Sequence, residues 1–255
     1  MLVDLRTNKA VVPNSFKFLE NNRVVRLTDG GFWRSDEKKE YEYQRLTALI
    51  KDTQKNTLSI LDIGCGKGRI PRKLIEDLSL NVEFNYTGFD IDSNDINENN
   101  AFFRCDKRFT FTHIDYMNKM YNPNAPTTEP VFDFLDDSYD VIWAWSVFSH
   151  LDINDFERYM RLISHKLARN GLAFITCFSR YEAKQNPEYT PNYIFLENSD
   201  LPANGGKQDE SNLTAVCYNP SWIDDLLMTL GLEVMMSCYP VYGGNFQTGM
   251  YLRKV

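Results

Sequence analysis

The sequence predicts an α/β fold: a mainly parallel sheet with helices on both faces, ending in a C-terminal antiparallel strand pair. Three observations carry this. Short apolar runs alternate with amphipathic ones between residues 57 and 178. A glycine turn, Gly64-Cys65-Gly66-Lys67-Gly68, follows the first apolar run directly. Two β-type segments, 232–239 and 248–254, close the chain near a Gly243-Gly244 turn and can pair antiparallel.

Each element has its own warrant. From Ser35, Asp36 and Glu37 suit a helix N-terminus, and Tyr43, Leu46 and Ile50 fall at helical spacing. T-L-S-I-L-D-I (57–63) reads as a buried strand, followed by the glycine turn and a helix over 70–78. The next strand is 83–91, with S-N-D-I-N-E-N-N behind it as a polar loop. Segment 108–115 is a third strand by its aromatic and β-branched content, and 138–148 a fourth. Residues 153–168 form an amphipathic helix closed by Asn170-Gly171 as a left-handed cap. A fifth strand is 172–178, and a helix over 220–231 has Pro220 near its start and Gly231 at its end.

The expected organisation is one domain over 1–255, with an N-terminal helical cap in 1–50. A substrate lid is expected in 179–215, which is rich in Pro, Asn and Gly.

Composition narrows the function. With 43% hydrophobic residues the chain can bury a substantial core. No apolar run is long enough to span a bilayer, and Asp4 interrupts what would be a signal peptide, so a cytoplasmic protein is expected. A net charge of −7 argues against broad nucleic-acid binding. The five cysteines include no C-x-x-C pair and the three histidines no metal-ligand spacing, so no protein-built metal site is expected.

The glycine turn excludes before it identifies. A dinucleotide fingerprint needs G-x-G-x-x-G, and Arg69 stands where its third glycine belongs; the phosphate-loop ending G-K-[ST] is also missing. Strand ends in such sheets are where ligands bind. Asp62 precedes the glycines, and Asp90 and Asp115 close the next two strands.

Taken together, L-D-I-G-C-G-K-G-R, G-F-D-I, H-I-D-Y-M and D-V-I-W-A-W-S-V-F-S-H-L resemble, in this order, the motifs of class I S-adenosylmethionine-dependent methyltransferases. The resemblance runs from Leu58 to Gly171 and implies a Rossmann-like fold, S-adenosyl-L-methionine as cofactor and S-adenosyl-L-homocysteine as product. It also implies roles. Asp62 would help hold the methionine ammonium. Gly64, Cys65, Gly66 and Gly68 would form the turn under the cofactor, with Cys65 present as a small residue. Asp90 would bind the ribose hydroxyls, Ile91 would pack on adenine, Asp115 would take the adenine amine, and Tyr116 and Trp145 would complete the walls. Asp90 and Asp115 could equally cap following segments, and Lys67 and Arg69 read as solvated cations.

Methyl transfer to an alcohol needs a base as the bond forms. His150, just past the fourth strand, is the candidate catalytic residue; its other reading is a helix cap. Trp33, Arg34, Arg180 and Tyr181 are candidate acceptor-binding residues, the aromatics for stacking and the arginines for a phosphate. The fourth motif and the final Q-T-G-M-Y-L-R-K are similar to bacterial methyltransferases of glycan and capsule assembly. That implies a small-molecule acceptor, free or nucleotide-linked, methylated on a sugar hydroxyl or phosphate-type oxygen. N-methylation of an amino sugar or amine, and a non-catalytic cofactor-binding module or partner subunit, stay open.

Overall fold

The computed structural model describes residues 2–4, 9–10, 35–77, 79–118, 121–127, 129–179, 203–205, 216–238 and 247–255. Its elements are β1 (Leu2–Asp4), β2 (Lys9–Ala10), α1 (Ser35–Asp52), β3 (Thr57–Ile63), α2 (Arg69–Glu76), β4 (Glu83–Asp90), α3 (Ser93–Phe103), β5 (Phe109–His113), β6 (Tyr139–Ala144), α4 (Ile153–Lys166), β7 (Leu167–Ser179), β8 (Ala203–Gly205), β9 (Val216–Tyr218), α5 (Pro220–Thr229), β10 (Leu232–Cys238) and β11 (Thr248–Lys254). A 3₁₀ turn over Phe148–His150 links β6 to α4.

The strands form one sheet in the order β2-β1-β10-β11-β7-β6-β3-β4-β5, with β9 paired to β7, and β8 to β9. Strands β7, β6, β3, β4 and β5 run parallel, while β11 and β10 add antiparallel. The expected fold class, Rossmann-like with a C-terminal antiparallel pair, is the one observed. Chain order reverses between β3 and β6, and this switch point is where open α/β sheets leave a crevice.

Alternation along β3 decides which face each side chain serves. Leu61 and Ile63 join a core layer with Phe156, Tyr159 and Ile163 of α4 and Ile223, Leu226 and Leu227 of α5. Leu58 and Ile60 join the opposite layer, with Leu46, Leu49 and Ile50 of α1, Leu74 of α2, and Ile96 and Phe103 of α3. Trp143, Trp145 and Phe174 stack within this second layer, with Trp143 4.7 Å from Phe174 and 5.6 Å from Trp145 between ring centroids. Each such large side chain, once buried, contributes about 1.5–3 kcal/mol.

Three expectations change. Residues 93–100 are not a loop: α3 covers them, capped by the Asp92 carboxylate, which accepts from the Asn94 and Asp95 amides at 2.9 and 3.2 Å. The helix expected to close at Asn170-Gly171 ends at Lys166. Asn170 does take a left-handed φ of 63°, but inside β7, where the β6–β7 register jumps. The N-terminal segment also contributes more than a helix, because β1 pairs with β10 and β2 with β1. Gly243-Gly244 and most of the expected lid, 179–215, lie outside the described residues.

Candidate active site

The C-terminal ends of β3, β4 and β6 converge. β3 ends in Ile63, and Gly64 and Gly66 then turn at φ 71° and 49°, values that favour glycine. The Gly64 and Cys65 amides both donate to the Phe89 carbonyl of β4, at 2.9 and 3.1 Å. A Cβ on Gly64 would collide with the Val147 side chain, so this glycine lets the β6 end close against the turn.

Asp90 ends β4 and binds the turn from below: one carboxylate oxygen accepts from the Gly66 amide at 2.8 Å and the other from the Asp92 amide at 3.0 Å. Burial pushes its pKa up, against the pull of these amides. Asn99 of α3 holds the same turn from the other side. It is fully buried, and its side-chain amide donates to the Gly66 carbonyl at 2.7 Å.

Two cavities flank the turn and share Gly64 and Trp145. One, of about 150 Å³, is lined by Ile63, Phe89, Asp90, Ile91, Ile114, Tyr116 and Tyr159, together with Asn118, Tyr121, Ser146, Val147, His150 and Leu151. It is largely apolar, and its lining includes one carboxylate, Asp90, and one imidazole, His150. The second, of about 500 Å³, is lined by Glu42, Asp62, Cys65, Gly66, Lys67, Arg69, Ile70 and Arg72. Ile63 therefore faces one cavity and Asp62 the other, as strand alternation requires.

Asp62 is 3% exposed and accepts from the Tyr86 hydroxyl. Burial, reinforced by nearby Glu42 and Asp90, pushes its pKa up to about 8 against the hydrogen bond from Tyr86. Glu42, buried on α1, pairs with Arg69 at 3.2 Å, so Arg69 is not merely a solvated cation. Burial also raises the Cys65 thiol, which keeps it neutral.

Of the residues singled out in the sequence, Asp62, Gly64, Cys65, Gly66, Asp90, Ile91, Tyr116, Trp145 and His150 line these cavities. Gly68, at φ 68°, packs against Asn99 at the start of α2. Asp115 lines neither: it is exposed, and its carboxylate accepts from Asn122 at 3.0 Å. Trp33, Arg34, Arg180 and Tyr181 lie outside the described residues. Glu42, Asn99, Asn118, Tyr121, Ser146 and Val147 were not foreseen; of these, Ser146 and Val147 stood within the fourth motif. Among the described residues no group of His, Cys, Asp and Glu is placed to hold a metal ion. No helix among them is long and apolar enough to cross a membrane.

A parallel sheet whose switch point carries a glycine turn, an acidic strand end and an apolar slot defines a nucleotide-cofactor protein. Residues 35–204, more than half of the chain, match a family described as methyltransferase domain, and the chain belongs to it. It is an S-adenosylmethionine-dependent methyltransferase. Among solved structures it is similar to an S-adenosylmethionine-dependent methyltransferase from Clostridium acetobutylicum ATCC 824, at 13% identity and TM-score 0.54 over 93% of this chain and 98% of that one. It is also similar to magnesium protoporphyrin IX methyltransferase from Synechocystis PCC 6803 with bound SAM, at 12% identity and TM-score 0.53 over 97% and 100% of the two chains. A third is 1,6-didemethyltoxoflavin-N1-methyltransferase from Burkholderia thailandensis, at 16% identity and TM-score 0.54 over 97% and 93%. At these identities the likeness is one of fold.

Proposed function

We propose that this enzyme methylates a hydroxyl oxygen of a small molecule, with His150 as the base that takes the acceptor proton. The observation that carries the reading is that His150 and Asp90 line one and the same largely apolar cavity. Bound S-adenosylmethionine supplies an activated methyl group on a sulfonium.

The residues present fit that cofactor. Asp90 offers carboxylate oxygens to ribose hydroxyls, Ile91 and Ile114 offer apolar walls to a ring, and the missing Gly64 side chain leaves backbone exposed to both cavities. Glu42 and Asp62 offer acidic oxygens to an ammonium, whose charge would favour ionised Asp62. Asp115, whose carboxylate accepts from Asn122, lines neither cavity.

His150 is half-buried, and its ring meets the Tyr121 ring edge-to-face at 5.3 Å. Val147 and Leu151 give the cavity an apolar wall beside His150. Sugar, nucleotide-linked sugar or phosphate-type oxygen as the acceptor and cytoplasmic glycan or capsule biosynthesis as the setting rest on the sequence resemblance, and Trp33, Arg34, Arg180 and Tyr181 as acceptor contacts rest on residue type. Among the described residues no Lys or Arg lines the His150 cavity.

The test has two parts. Calorimetry should show S-adenosylhomocysteine binding, and binding of a nicotinamide dinucleotide instead would overturn the cofactor assignment to these residues. Turnover should then be measured against nucleotide-linked sugars, phosphate-bearing acceptors, phenols and amines. His150→Gln should lower kcat on a hydroxyl acceptor by roughly 10²–10⁴-fold while leaving S-adenosylhomocysteine affinity unchanged. Full turnover by that variant, or turnover with amines alone, would remove the base from the mechanism.

A further inference from the structure

Ser146 carries a strain and a polar network that the reading above leaves unused. It follows Trp145 at the end of β6 and lines the His150 cavity. Its φ is 61°, a left-handed value that costs a serine about 1–2 kcal/mol and persists only where neighbours impose it. Three neighbours do so. The Ser146 amide donates to Thr176 Oγ1 of β7 at 2.7 Å, the Ser149 hydroxyl donates to the Ser146 carbonyl at 3.3 Å, and the Gln247 side-chain amide donates to Ser146 Oγ at 3.0 Å. The same Gln247 nitrogen reaches Ser149 Oγ at 3.2 Å, and Gln247 itself is fully buried beside β11.

The direction of these bonds fixes the polarity of the serine. Its oxygen already accepts from Gln247, and among the described residues nothing accepts its proton. A hydroxyl so held is an oriented donor facing the cavity. We propose that Ser146 donates this hydrogen bond to the acceptor molecule beside His150, and that the acceptor therefore presents a lone-pair oxygen, a hydroxyl or its oxyanion, rather than a protonated amine. Thr176 and Gln247 are positioning residues for that donor. The inference rests on the proposed methyl transfer to oxygen and names the group that selects the oxygen.

Phenol serves as a compact hydroxyl probe for a small aromatic-walled slot, with toluene as its apolar counterpart and benzylamine as a cation. Each is titrated into protein saturated with S-adenosylhomocysteine and followed by ligand-observed NMR. The wild-type complex should bind phenol more tightly than toluene or benzylamine. Ser146→Ala and Ser146→Gly should weaken phenol roughly 3- to 10-fold, the worth of one neutral hydrogen bond, and leave toluene unchanged. Ser146→Gly should also melt no lower than Ser146→Ala, because glycine relieves the left-handed backbone. Equal phenol affinity in wild type and variants, phenol bound no better than toluene, or no binding of phenol overturns the inference. Failure to bind S-adenosylhomocysteine in the first place would instead strike the parent reading.

Discussion

At the scale of single residues, the site is set by carboxylates whose surroundings differ. Asp90 and Asp62 end neighbouring strands, yet one is held by backbone amides and the other is sealed against Tyr86. The Asp62 pKa of about 8 lies above that of an unfolded aspartate. Between about pH 4 and the folded value, the folded chain keeps a proton that the unfolded chain has lost. Stability therefore falls as pH rises through that window. Asp62→Asn should remove this slope while still accepting from Tyr86. In urea melts, its advantage over wild type should grow from about pH 5 to about pH 8, and equal slopes for the two proteins would refute the sealed carboxylate. Asp62, Asp90 and the glycines were legible because their residue types and spacing are themselves the signal. Asp115 shows where that signal ends: the same residue type at a strand end, turned outward to Asn122.

At the scale of elements, α3 is the instructive case. Its Ser, Asn and Asp residues have poor helix propensity and read as a loop. The Asp92 cap and the buried positions Ile96, Asn99 and Phe103 override that propensity by fixing one end and burying one face. The helix then delivers Asn99 to the glycine turn. Asn99→Ala should leave the Gly66 carbonyl without this partner, lower stability by about 1–3 kcal/mol and weaken S-adenosylhomocysteine binding. Thermal melts and calorimetry would check both, and unchanged cofactor affinity would show that the turn holds its shape alone. Asn99 could have been found only by giving weight to its helical spacing from Ile96 and Phe103.

At the scale of the molecule, distant chain segments meet around the His150 turn. Tyr218 of β9 is fully buried, and its hydroxyl lies 2.7 Å from the Phe148 carbonyl and 2.6 Å from the Leu151 carbonyl, bracketing His150. It can donate to one of them at a time. Tyr218→Phe removes that donor from buried carbonyls and should destabilise the protein by about 1–3 kcal/mol. If the turn aims the imidazole, kcat should fall with little change in S-adenosylhomocysteine affinity. A melt and a turnover assay separate the two effects, and an unaltered melting temperature would contradict the clamp. Gln247, at the far end of the chain, reaches the same neighbourhood through Ser146 and Ser149.

The sequence by itself determined the alternation of the central strands with α2 and α4, the glycine turn and the acidic strand ends, because periodicity and left-handed backbone leave local marks. It also carried the cofactor, through motifs that each fall at the end of a parallel strand. Only the tertiary structure decided that Asp62 and Ile63 face different cavities, that Glu42 stands beside Asp62, and that Ser146 is held by Gln247. Those partners lie on elements brought together by sheet pairing and helix packing, and residues so far apart in the chain carry no common pattern until the fold makes them neighbours.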